Sequence, residues 1–239
     1  QYITLLYAFH FPFAFFSFYL YNHGKAEGLA NMETKQSIKK SIYDSLMEGI
    51  IHGEYRPNQI LTEAGLLEKF DCSRAPIREA LAALCTEGIM RNLPRCGYEV
   101  VRITTDDVNH MQEFRRILEC ALLRHTAQTI TPSRLAVLRQ INEKCNSSGE
   151  SMWGHWEYNA QFHMKLASYS QNDYAVRMLE KTLSTLKCAY GQFYWDKWDH
   201  LYPHDMKYHA SILRALETGD GEEAARNMEL DLQDFAAFS

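Results

Sequence analysis

Ser73-Arg74-Ala75-Pro76-Ile77-Arg78-Glu79-Ala80-Leu81 is the stretch on which the reading of this 239-residue chain turns. Ser73 suits an N-cap, and Pro76 in the first turn gives up only an amide that has no helical partner there. Ile77, Leu81 and Leu84 then share one face, and Glu87-Gly88 ends the helix at a glycine. Arg74 and Arg78 stand four residues apart, which places them together on the opposite face. Arginines at a helix start meet phosphates where the first amides also point, and they reach guanine edges in a major groove. The competing reading is a solvated pair tied to Glu79 or Glu87.

Upstream, Ile38, Ile42, Leu46, Ile50 and Ile51 recur every three or four residues from Ser37, which predicts an amphipathic helix ending at His52-Gly53. Arg56-Pro57-Asn58 is a turn, and Thr62-Glu63 opens a short helix through Leu66, Leu67 and Phe70 that stops at Asp71-Cys72. With the helix at Ser73 this makes a helix-turn-helix. After Gly88 the period changes. Ile89 to Leu93, Pro94-Arg95-Cys96-Gly97 and Tyr98 to Val101 read as strand, turn and strand, a hairpin wing.

Residues 36–103, through Ile50-Ile51-His52-Gly53, Pro57, Leu61-Thr62-Glu63, the Ser73 to Leu81 run, Glu87-Gly88 and Gly97-Tyr98, resemble the winged-helix domain of GntR-family bacterial transcription regulators. The resemblance implies a double-stranded DNA operator. It places Ser73, Arg74, Ala75, Pro76 and Arg78 at the groove or backbone, and Arg95 to Gly97 at the wing tip. It also implies a homodimer whose recognition helices enter successive major grooves of a short palindrome. Ala64 departs from relatives that place an arginine in the second helix.

In residues 105–239, Thr105-Asp106-Asp107 caps a helix whose Val108, Met111, Phe114, Ile117, Leu118, Ala121 and Leu122 are spaced as a buried stripe, ending near Thr129. Thr131-Pro132-Ser133 opens a second, broken at Asn146 to Gly149, and helices follow at about 152–169, 173–198, 204–218 and 221–238. Six helices without a comparable strand signal predict an antiparallel bundle. The fold class is therefore mainly α, a winged helix-turn-helix followed by a helical bundle. The words Phe114-Arg115-Arg116-Ile117-Leu118-Glu119, Phe162-His163, His209, Ile212-Leu213 and Gly219-Asp220 resemble the FadR C-terminal domain (FCD) class.

Asn159 and His163 lie one turn apart on one helix. His209 comes ten residues before Gly219 and Asp231 ten after Gly221, so in an antiparallel hairpin both stand at one height, roughly 15 Å from the turn. Two facing pairs can thus converge. The FCD resemblance implies a divalent metal held by one Asp and three His; by position these fall on Asn159 for the Asp and on His163, His209 and Asp231 for the histidines. The two departures are complementary, because the carboxylate missing at 159 reappears at 231. Two imidazoles, a carboxylate and an amide oxygen suit zinc, nickel or manganese. The competing reading makes His163 and His209 core histidines hydrogen-bonded to Asn159 and Asp231.

Arg115 matches a position that faces the effector, which the resemblance makes a small organic acid; a solvated or dimer-interface arginine is the alternative. His200 and His204 are separated by Pro203 and read as surface residues. Phe193-Tyr194-Trp195 and Trp198 read as core or interface.

A hydrophobic content of 46% with 23% charged residues is that of a globular chain and excludes disordered and collagen-like classes. Six scattered cysteines suggest neither a zinc ribbon nor a stapled secreted module, so a reducing, cytoplasmic setting is expected. The net charge of -5 argues against wholesale coating of nucleic acid. The acidic excess sits C-terminally, with nineteen acidic against fourteen basic residues in 104–239, whereas every cation of 72–103 is an arginine. Residues 1–23 hold no Asp, Glu, Lys or Arg. We read residues 1–31 as translated upstream sequence ahead of Met32, because no basic flank precedes them and Pro12 and His10 interrupt them; a membrane anchor is the alternative. No membrane partner is expected.

These features point to a ligand-responsive DNA-binding regulator and not to an enzyme. The rival is a metal-dependent hydrolase or lyase using His163 and His209, against which no nucleophile–base pair is visible. A third reading keeps DNA binding and makes the bundle a dimerisation unit without ligand.

Overall fold

Ile42, Leu46, Ile50 and Ile51 are buried against Ile77, Ala80, Leu81 and Leu84, so the two apolar stripes of the N-terminal part face one another. They belong to α1 (Ala26–Ile51) and α3 (Arg74–Glu87) of a computed structural model that describes residues 26–147, 152–194 and 207–236. Residues 1–25 of the segment 1–31 read as upstream sequence, and the expectations for Trp195, Trp198, His200 and His204, lie outside the described residues. α1 begins eleven residues before the expected Ser37, in a run of Ala, Leu, Met, Glu and Lys that favours helix, and Ile38 is exposed on it. Between these helices lies α2 (Glu63–Phe70), capped by the Thr62 side chain accepting from the Gly65 amide.

The wing is β2 (Met90–Leu93) paired antiparallel with β3 (Gly97–Val100). A third strand that periodicity could not show, β1 (Ile60–Leu61), pairs with the other edge of β3, Ile60 opposite Glu99 and Leu61 opposite Tyr98. Gly97 makes that approach possible: its φ is 132°, and a Cβ there would lie 2.4 Å from the Leu61 carbonyl oxygen. Gly97→Ala is therefore expected to destabilise the protein by about 2 kcal/mol, read as a lower urea midpoint; an unchanged midpoint would show that β1 is not held against β3.

A capping box formed by Thr104, one residue earlier than expected, and Asp107 starts α4 (Thr105–Thr126). α5 (Pro132–Ser147), α6 (Met152–Ser168), α7 (Asp173–Tyr194), α8 (Lys207–Glu217) and α9 (Gly221–Ala236) complete the described helices. Leu123, Leu138, Phe162, Leu166, Ile212, Leu216, Met228 and Leu232 form the bundle core. The expected stripe on α4 is corrected here. Phe114 and Ile117 are exposed, at 37% and 68%, and Ala121 is exposed as well, while Gln112, Arg115, Glu119, Cys120 and Leu123 turn inward. The helix carries apolar residues on two faces, and its polar Gln112–Arg115–Glu119 row decides which one is interior.

α7 joins the two parts. Leu186, Cys188, Ala189 and Tyr190 share one apolar core with Leu46, Ile50 and Ile51 of α1. Gly191 sits where α7 meets the end of α1, and a Cβ there would lie 2.7 Å from Ile51 Cα. The Gln192 side chain holds the connecting segment, donating to the Val101 carbonyl at 2.9 Å and accepting from the Ile103 amide at 3.1 Å. The Lys181 ammonium donates to the Thr86 carbonyl, and Glu87 accepts from Tyr43 at 2.6 Å and from Ser184 at 3.3 Å. No helix among the described residues is long and apolar enough to cross a membrane.

Candidate functional site

Two places carry chemistry. The first is the N-terminal end of α3. Ser73 occupies the N-cap with extended backbone, but its side chain makes no cap hydrogen bond, unlike Thr62 on α2. The first-turn amides of α3 are thus left without that side-chain acceptor, beside exposed Ser73, Arg74 and Ala75. Arg78 is exposed too and donates from Nε to both Glu63 carboxylate oxygens at 2.9 and 3.0 Å, so its partner is Glu63 on α2 and not the Glu79 or Glu87 of the solvated-pair reading. Arg78 in turn pulls the Glu63 pKa down, and Arg74 adds to this through space. Pro76 differs from its neighbours. It is buried, so it shapes the first turn from beneath. Arg95 is exposed at the wing tip with φ 66°, beside half-buried Gly97. Ala64 is exposed on α2.

The second place is buried in the bundle. Ligand atoms of His163 on α6, His209 on α8 and Asp231 on α9 all lie within 4.8 Å of one another. The height argument for His209 and Asp231 agrees with their separation, Nε2 to Oδ1 3.7 Å. His163 Nε2 is 3.2 Å from Asp231 Oδ2 without hydrogen-bond geometry. His209 Nδ1 and Nε2, Asp231 Oδ2 and Asn159 Oδ1 are likewise buried without a hydrogen-bond partner. The hydrogen bonds that the core-histidine reading requires are therefore not formed at these atoms. Phe162 stacks on the His209 ring, 3.9 Å between centroids, and fixes its plane.

Around this cluster runs a polar row of which sequence reasoning singled out Arg115 alone. Glu119 Oε2 accepts from His163 Nδ1 at 2.6 Å, and its other oxygen accepts from Arg115 Nε at 2.7 Å. Arg115 Nη1 reaches Gln112 at 3.4 Å, and Gln112 donates to the Tyr190 hydroxyl at 3.2 Å. The row thus runs from His163 to α7, two residues from the Gln192 clamp. Arg115 is fully buried, which excludes the solvated and interface alternatives within the chain as described, and its Nη2 has no hydrogen-bond partner. The signal for Glu119 was its spacing of four from Arg115, which also describes an ordinary surface ion pair.

Burial drives the His209 pKa down to about 3, so this imidazole is neutral at ordinary pH, the form that ligates a metal. Burial also opposes charge on His163, but the Glu119 and Asp231 carboxylates together outweigh it and the pKa moves up. Burial would raise Asp231 and Glu119, yet His163 and Arg115 hold both carboxyls down. His209 and Asp231 offer inward lone pairs as they stand, and His163, with Nδ1 held from behind by the Glu119 carboxylate, offers Nε2 once its second proton leaves. Such a set fits a divalent cation.

Residues 38–100 match the description "Bacterial regulatory proteins, gntR family", and residues 110–234 match the FCD domain. The HTH-type transcriptional repressor RspR of Escherichia coli (strain K12) is 27% identical over 205 residues, covering 84% of this chain and 88% of its own. The Nta operon transcriptional regulator of Aminobacter aminovorans is 27% identical over 163 residues, 67% of this chain and 76% of that protein. Among solved structures, E. coli McbR/YncC has the same fold, with a TM-score of 0.68 at 20% identity over 84% of this chain and 95% of that one. The metal-dependent enzyme considered from the sequence is set aside by these relatives. The chain belongs to the GntR family of bacterial transcription regulators and carries an FCD domain behind its winged helix.

Proposed function

We propose that this regulator binds its operator as a homodimer and that a small organic acid, bound beside a divalent metal in the bundle, changes that affinity. The carrying observation is that ligand atoms of His163, His209 and Asp231 lie within 4.8 Å of one another, with buried atoms lacking hydrogen-bond partners on all three and also on Asn159 and Arg115. His163, His209 and Asp231 would hold the metal, zinc, nickel or manganese, with Asn159 as the fourth donor. When bound, the cation supplies positive charge for a carboxylate, and Arg115 supplies a guanidinium. Glu119 positions His163 and connects it through Arg115, Gln112 and Tyr190 to α7, whose Gln192 grips the segment before the bundle. An effector acting on that row biases how α1 and α3 sit on α7.

At the operator, Ser73, Arg74, Ala75 and Arg78 approach the groove and backbone, Pro76 sets the turn that presents them, and Arg95 and Gly97 bring the wing to the flanking phosphates. The exposed Phe114 and Ile117 on α4 supply an apolar surface for a second copy.

The test is retardation of DNA from upstream of its own gene by protein beginning at Met32, at fixed salt with nonspecific competitor, with and without divalent metals and carboxylates. His209→Ala is expected to leave retardation by the free protein intact, to abolish the effector response, and to weaken metal binding by more than the roughly 10–100-fold that loss of an outer-shell partner costs. Full effector response in His209→Ala would overturn the metal reading. Protein purified without chelator that holds no stoichiometric metal, and that no carboxylate stabilises thermally, would favour the bundle as a dimerisation unit alone.

A further inference from the structure

A cleft of about 450 Å³ opens between the two parts of the chain, bounded by α1 and α3 on one side and by α6 and α7 on the other. It is separate from the His163–His209–Asp231 cluster, none of whose residues line it. Its walls are apolar and deformable: Tyr43, Met47, Trp156, Met164, Met178 and Leu183. Three methionines beside two aromatic rings make a surface that adapts to ligands of different outline.

The charges around this cleft are not balanced in function. Its three cations have other partners: Lys181 donates to the Thr86 carbonyl on the cleft wall, Lys187 lies over the Trp153 ring at 5.7 Å, and Arg177 lies over the Tyr174 ring at 5.8 Å. Five carboxylates line the same space; Asp44 pairs with Lys40 and Glu48 with His52, whereas Glu87, Glu180 and Glu157 are half-buried without a cationic partner among the described residues, and the first two face each other across the cleft from α3 and α7. Glu87, the last residue of α3, accepts only from the neutral hydroxyls of Tyr43 and Ser184 among the described residues. Glu180, one turn before Ser184 on α7, has no hydrogen bond or salt bridge among the described residues. Its pKa is pushed up by burial and then by the nearby Glu87, as expected for a carboxylate lacking a countercharge.

We infer that this interdomain cleft binds a lipophilic cation, an apolar body carrying one positive charge, with its body against Trp156 and the methionines and its charge toward Glu180 and Glu87. The inference goes beyond the operator and carboxylate reading and is independent of the metal cluster. A cation does here what no residue of the cleft does: it neutralises two desolvated carboxylates while covering apolar wall, and aromatic faces add to its attraction. Because Glu87 ends the recognition helix and Glu180 stands on α7, such a ligand ties α3 to α7 and stabilises their docked arrangement.

Tetraphenylphosphonium and tetraphenylborate, tetrahedral aryl ions of similar size and opposite charge, separate charge selection from apolar binding. Titration calorimetry of the full chain is expected to show one phosphonium site per chain and borate binding at least about tenfold weaker. Glu180→Gln keeps the side-chain outline, removes a half-buried charge and should fold normally by circular dichroism. It is expected to weaken phosphonium binding by about tenfold and to narrow the gap to borate. Ala160→Phe, which fills the cleft from α6, should remove phosphonium binding. Equal affinity for the two ions, phosphonium binding unaltered by Glu180→Gln, or no binding of phosphonium would each overturn the inference.

Discussion

A protein carrying both Arg74→Ala and Arg78→Ala is expected to lose specific retardation of operator DNA, by about 10²-fold or more in affinity at fixed salt, while melting close to the parent temperature. Both side chains are exposed at the flank of the α3 face that buries Ile77, Leu81 and Leu84, so their removal leaves no cavity. What the substitutions break is the exposed Arg78–Glu63 ion pair, and pairs of that kind contribute little to stability. That pair makes the two arginines unequal. Arg74 is available to DNA as it stands, whereas Arg78 must share or leave Glu63. Glu63→Ala should therefore raise nonspecific affinity, and the salt dependence of binding should steepen by about one counterion as Arg78 is freed. Sequence-specific retardation by the double variant, or a collapse of its melting transition, would remove this face as the reader of the operator.

The second large effect is on stability. Arg115→Met is expected to destabilise the protein by about 3–5 kcal/mol, because it leaves the Glu119 carboxylate buried without its guanidinium. Arg115 and Glu119 side chains are 1% and 3% exposed, so water cannot take the place of the guanidinium. Thermal melting should fall by roughly 10 °C in a chain of this size. Adding Glu119→Gln should recover much of the loss, since the stranded charge and not the missing packing is the main cost. A single variant that melts with the parent would mean that the pair is hydrated in solution.

The DNA-reading end was legible because its signals are local. Ser73, Pro76 and Gly88 punctuate α3 within the stretch that forms it, and the arginines one turn apart need only helical geometry to share a face. The bundle cluster was legible for a similar reason: Asn159 and His163 share a helix, and the Gly219–Gly221 turn sets His209 beside Asp231. What escaped depends on neighbours distant in sequence. Two residues, Ile60 and Leu61, are too few to show a period, and their strand exists only because Gly97 lets the Leu61 carbonyl approach. The α4 stripe misled because Phe114 and Ile117 look like core residues, whereas the true interior is set by Arg115 and Glu119 finding His163, 44 positions beyond Glu119. Gln192 gave no signal at all, since its partners are backbone groups of the segment around residue 102.

The junction at Gly191 also governs how the molecule comes apart. Ile50 and Ile51 are covered partly by α7, so releasing the winged helix would bare apolar side chains on both parts at once. The two sequence-defined units are therefore expected to share a single thermodynamic fate: they should melt in one cooperative transition, and a ligand held by the bundle alone would raise the resistance of the DNA-reading part to proteolysis without touching it.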